Sequence, residues 1–136
     1  MSKIERESKI IFVDPNDTLV DAMVIMLLEE GFQPEQILRA QTVEDGNRLI
    51  GTHAEKLRLV VVSGFKGRWT TVASTAIETT DASVFLHTFD GKAAAAASSP
   101  PFANKVRVFT KNEKTLVMLE QARILALASR PIPSLF

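Results

Sequence analysis

Five short apolar runs recur along the chain, each followed by a polar turn and then by a stretch whose apolar residues return at helical spacing. KIIFV (9–13) predicts a first strand, broken by Pro15, and Asn16, Asp17 and Thr18 offer capping oxygens to a helix over 18–30 that Gly31 ends. QILRA (36–40) predicts a second strand. In TVEDGNRLIGTH (42–53), Thr42 with Asp45 three residues on is a capping pattern, and Gly46 weakens the expected helix only modestly. LRLVVVSGF (57–65) holds the third strand, too uniformly apolar to keep a wet face, as a strand buried on both sides would be. RWTTVASTAIE (68–78) is a weaker helical segment, SVFLHT (83–88) a fourth strand and 106–110 a fifth, after which Asn112 caps a long helix to about Ser129.

Strand and helix alternate, so the expected class is α/β, a doubly wound parallel sheet with its sites at the carboxyl ends of the strands. One segment breaks the rhythm. FDGKAAAAASSPPFANK (89–105) carries five alanines and then SSPP, enough for about one and a half turns before proline stops the helix. A shortened or irregular fourth helix is expected there, within a degenerate surface loop or, alternatively, a loop that a partner orders.

Composition narrows the function. At 136 residues and 46% apolar content the chain suits one domain, 1–130, with a tail at 131–136. Sixteen basic and sixteen acidic residues cancel without clustering, which leaves no field to gather nucleic acid or a membrane surface. The absence of cysteine removes disulfides, thiolate catalysis and thiolate metal sites, and the histidines are two, His53 and His87. No apolar run approaches the roughly 18 residues of a membrane span, and MSKIERESK is charged where a secretory leader is apolar. A cytoplasmic protein is the expectation.

Polar residues stand at the ends of the predicted strands: Asp14 and Pro15 in IIFVDPND, Ser63 in VVVSGFKG, Thr88 in FLHT and Lys111 in VFTKNE. In that order and spacing they resemble the receiver domain of two-component response regulators over nearly the whole chain. IIFVDPND is similar to the family's VVDD, whose adjacent acids help to hold magnesium; Asp14 matches the first and Pro15 replaces the second. VVVSGFKG is similar to LLDLxMPG, with Ser63 where the phosphoacceptor aspartate belongs. Thr88 matches the hydroxyl residue that follows the phosphoryl oxygens, and Lys111 the lysine of VxKPF. Asn112 stands in place of the proline, and Val108, beside Phe109, where an aromatic is common. The resemblance implies a flavodoxin-like sheet of strand order 2-1-3-4-5, with the first and last helices side by side on one face.

The departures fall on the chemistry. A carboxylate accepts the phosphoryl group in such a site while magnesium neutralises the crowded charge. Ser63 has no base beside it in sequence, and Asp14 alone remains of three carboxylates. The chain therefore reads as a pseudo-receiver, not an enzyme, needing neither metal nor cofactor and acting independently of phosphorylation through a protein partner or a second copy of itself. A buried lysine requires a counter-charge, so Lys111 is expected to pair with Asp14.

If contact is the output, its surface should show in the helices. At about 100° per residue, Ile25 and Leu28 fall among Thr18, Asp21 and Glu29, while Val117, Ile124 and Leu127 share a side with Glu113 and Glu120. On adjacent helices these five would form a docking patch; otherwise they are core or scattered surface hydrophobes. Two rivals remain. One is a small flavodoxin-like enzyme or ligand-binding domain using the strand-end pocket, with Ser63 as nucleophile if His87 or another base reaches it, although no phosphate-cradling glycine loop follows the first strand. The other is a receiver regulated by modification of Ser63, where a phosphate would set close to two negative charges beside Lys111 and Thr88. RPIPSLF (130–136) is expected to fold back or to serve as a recognition peptide. With no output domain after it, a signal would leave by contact.

Overall fold

Each apolar run becomes a strand and each amphipathic stretch a helix: β1 (Lys9–Val13), α1 (Asp17–Glu29), β2 (Ile37–Ala40), α2 (Val43–Thr52), β3 (Leu57–Val62), α3 (Trp69–Thr79), β4 (Ser83–Thr88), α4 (Gly91–Ala97), β5 (Val106–Thr110) and α5 (Thr115–Leu127). This computed structural model describes residues 8–111 and 114–127, without the side chains of 124–127. All five strands run parallel in the order β2-β1-β3-β4-β5, a flavodoxin-like α/β fold. The tail at 131–136 and the expected cap at Asn112 lie outside the described residues. Among the described residues no helix is long and apolar enough to cross a membrane.

The uniform apolarity of the strands follows from cover on both faces. Alternate residues of the central strands point to opposite cores. Phe12, Val61 and Phe85 meet Val20, Met23 and Leu27 of α1 and Met118, Leu119 and Ala122 of α5. Val13, Val62 and Leu86 meet Val43 and Ile50 of α2, Trp69, Val72 and Ala76 of α3, and Ala93 and Ala97 of α4. The polar residue after each strand is carried on the same ladder. Asp14 N–H donates to Ala40 O, Ser63 N–H to Val13 O and Lys111 N–H to Thr88 O, which fixes three side chains along one edge.

Three local outcomes differ from expectation. Helix α5 begins at Thr115 rather than beside Asn112, its first turn closed by Met118 N–H on Lys114 O. The segment after β4 is largely exposed, as expected, but it is not degenerate, because Ala93, Ala97 and Phe102 are buried in the core. Helix α4 is short, as the prolines require, but it is capped by Asp90, and Phe102 is buried against Trp69 with ring centroids 4.9 Å apart. Burial of two aromatic rings outweighs the weak helix propensity of this stretch. The third concerns Gly46, which is more than a mild weakness in α2: a Cβ there would lie 2.8 Å from Val13 Cγ1. The glycine lets the helix approach β1.

Gly46→Ala should therefore destabilise the fold by about 1–3 kcal/mol in urea unfolding, although alanine is the better helix former. Gly51→Ala in the same helix, where the added methyl meets nothing within 4 Å, should be neutral or stabilise by up to about 1 kcal/mol. Equal responses at the two positions would discard this account of Gly46.

Candidate functional site

The carboxyl edge of the sheet holds a closed polar cluster. Lys111 Nζ lies 3.0 Å from Asp14 Oδ2 with side chains only 7% and 4% exposed, and it donates to Ser63 Oγ at 3.0 Å. The pairing expected from the sequence is present, and Ser63 completes it. The second oxygen, Asp14 Oδ1, accepts from Asn16 N–H at 2.8 Å. That turn sets Asn16 to cap α1, its Oδ1 accepting from Leu19 N–H. Pro15 between them is exposed. Thr88 is buried at the same edge, yet its hydroxyl is taken by Asp90 N–H at 3.0 Å. A Cβ on Gly64 would approach Thr88 Oγ1 to 3.0 Å, so the loops after β3 and β4 pass in close contact. Asp14, Ser63 and Lys111 thus converge, Thr88 lines the edge with another partner, and Pro15 stays outside.

A magnesium ion, as the resemblance to receivers implies, does not fit these residues. Both oxygens of Asp14 already have partners, one of them a cation, and proline and serine occupy the positions of the other two acids. Among the described residues no group of three or more acidic or histidine side chains gathers where it would hold a metal.

Three features escaped the sequence reading. Phe89, two-thirds exposed, places its ring 5.8 Å from Lys111 Nζ, close enough for a cation–π contact over the ammonium. Phe65 and Lys66, just after Ser63–Gly64, have φ of 48° and 54° and are followed by Gly67 at 96°. Left-handed backbone costs a residue with a side chain roughly 1–2 kcal/mol; Gly67 N–H and Trp69 N–H, both donating to Gly64 O, hold the loop in place. The third is His87, fully buried near the end of β4, whose Nε2 lies 2.7 Å from Thr115 Oγ1 at the start of α5. It does not serve Ser63 as a base: its paired nitrogen faces Thr115, and its Nδ1 has no hydrogen-bond partner. Burial lowers its pKa from 6.5 to about 4; the positive charge of Lys111 pushes the same way, and Asp14 opposes it. A neutral ring with Nε2–H donating to Thr115 leaves at Nδ1 only a bare lone pair, cheaper to bury than an orphaned N–H.

On the outer surface, Ile25 is 57% exposed, and Met26, Leu28, Leu116 and Val117 are also open. Helices α1 and α5 are neighbours on one face of the sheet, but the exposed residues do not form one stripe. At about 100° per residue, Ile25 points directly away from buried Val20, Met23 and Leu27. Leu28 falls on the side where Asp17 and Asp21 meet Arg39 of β2, and Met26 on the side where Glu30 meets Arg123 of α5. Likewise Leu116 shares the Arg123 side of α5, while Val117 lies nearer Gln121, which holds Arg107 of β5. The side chains of Ile124 and Leu127 lie outside the described residues. Comparison with known proteins finds no matching family model, no matching curated protein and no matching solved structure.

Two predictions test this geometry. Lys111→Met should lower stability by about 3–5 kcal/mol in urea, because it strands the Asp14 carboxylate, and adding Asp14→Asn should recover most of the loss. Additive losses would show that the pair is not the relevant contact. For His87, the folded pKa of about 4 lies below the ordinary 6.5, so the unfolded chain takes up the proton first as the pH falls. Its contribution is complete above about pH 6.5 and is lost progressively between about 6.5 and 4, to a total of about 3 kcal/mol. The stability of the wild type relative to His87→Leu should shrink by that order between pH 7 and 4, whereas a constant difference would exclude a buried neutral ring.

Proposed function

We propose that this chain is a pseudo-receiver, a phosphorylation-independent cytoplasmic signalling platform that works by protein contact rather than by catalysis. The observation that carries this reading is the engagement of Lys111 by Asp14 and Ser63. In a working receiver the matching lysine lies beside the acceptor carboxylate and follows the phosphoryl group it takes up; here the group in that place is the Ser63 hydroxyl, and the ammonium is balanced by Asp14 alone. The missing acceptor supports the same reading, since a buried serine whose oxygen accepts from Lys111 is neither an activated nucleophile nor open to a kinase. Exposed apolar residues on α1 and α5 supply surface for contact.

The test is an amide NMR titration with beryllofluoride or acetyl phosphate in the presence of magnesium. The signals of Ser63, Gly64, Thr88 and Lys111 should stay in place, and mass spectrometry should find no phosphoryl adduct. Saturable magnesium-dependent shifts at those positions, or stoichiometric phosphorylation, would overturn the proposal.

A further inference from the structure

Helix α1 carries more apolar surface than its place in the fold consumes. Nine of its thirteen residues are apolar, and three of them bury completely against the sheet and α5. A helix greasy on both sides is ordinarily covered on both, yet Ile25 stands at the centre of the solvent side. Charge on the same helix is one-signed: Asp17, Asp21, Glu29 and the following Glu30 are acidic, and no Lys, Arg or His lies among them.

The upper half of that charge is spent internally, because Arg39 of β2 reaches both Asp17 and Asp21. The lower half is not. Arg123 is shared between Glu120 at 3.2 Å and Glu30 at 3.8 Å, and Glu29 has no partner among the described residues. Among the described residues Arg123 thus meets two acids, and Glu29, beside Ile25 and Met26, meets no cation. The position of the acids sharpens the imbalance. A helix C-terminus bears partial negative charge and favours Lys or Arg, yet the last turn of α1 holds no basic residue and ends on Glu29. An outside cation would relieve both.

We infer that the outer ridge of α1 docks a basic amphipathic helix, with partner leucine-type side chains around Ile25 and partner Lys or Arg against Glu29 and Glu30. This deepens the proposed function by naming the chemistry of its partner, and it rests on that reading. A second copy of this chain is a poorer occupant: a two-fold contact centred on Ile25 sets Glu29 of one helix near Asp21 of the other, whose neighbouring Arg39 is already engaged by Asp17 and Asp21, so the contact brings Glu29 no uncommitted cation. An anionic membrane is repelled by the same acids.

The probe is a synthetic helical peptide of about 18 residues with a leucine stripe flanked by lysines, titrated by fluorescence anisotropy against the full chain. The control peptide has the same stripe flanked by glutamates. The lysine peptide should bind in the micromolar range, weaken as salt screens the contact, and lose roughly tenfold or more on Ile25→Asp or on Glu29→Lys. Both variants change exposed positions, and an unaltered melting temperature identifies the loss as one of contact. Equal binding of the two peptides, or indifference to both substitutions, overturns the inference. Equilibrium sedimentation of the chain alone adds a further outcome, since an Ile25-dependent dimer replaces the basic helix by a second copy. A failure here with no response to beryllofluoride removes the partner chemistry and leaves the pseudo-receiver reading standing. A positive beryllofluoride response removes that reading whatever the peptide does.

Discussion

An ammonium group taken out of water must be met by charge and hydrogen bonds, or its burial costs several kcal/mol. Lys111 satisfies this demand by reaching along the sheet edge. It follows β5, its counter-charge follows β1, and the ends of β4 and β3 stand between them; at about 4.8 Å per strand that interval spans most of the sheet. The side chain therefore ties the carboxyl edge together, taking Ser63 on its way to Asp14. The same charge passes near His87 and helps to hold that ring neutral, so the polar edge and the buried face under α5 are electrostatically coupled.

Charge arithmetic explains why this arrangement is self-sufficient. Three acids and one lysine would leave a pocket of net charge −2, which calls for a divalent cation. With Pro15 and Ser63 in two of those positions the pocket holds one carboxylate and one ammonium, and it closes at zero. An acid placed at 63 alone would leave an excess negative charge at a buried edge, and acids are needed at both 15 and 63 before a metal has three carboxylates to bind.

The sheet was legible in the sequence because strands covered on both faces are written as uninterrupted apolar runs, and β4 and β5 carry the bounds read from SVFLHT and from 106–110. The polar edge was legible for the same reason: a polar residue ending such a run is placed by the ladder itself. What stayed hidden depends on tertiary register. Prolines marked where α4 must stop, but nothing local says that Phe102 returns to stack on Trp69. The weakness of Gly46 was visible, while its purpose requires knowing that Val13 lies beneath it. Alternation would have placed His87 on the same face as Phe85, pointing toward α5; its hydroxyl partner is missed because α5 begins at Thr115 and not beside Asn112.

The ion pair also bears on the surface, because Asp14 is shared between the pocket and α1. One oxygen holds Lys111 and the other holds Asn16 N–H, and Asn16 in turn caps α1. Arg39 fastens the first two turns of the same helix to β2. The amino-terminal half of α1 is therefore anchored twice, and its carboxyl-terminal half presents Ile25 and Glu29 from that anchored support. A rigid ridge loses little conformational entropy on docking. The pocket and the surface of α1 are thus physically joined: the carboxylate that meets Lys111 also holds the turn from which Asn16 caps the helix.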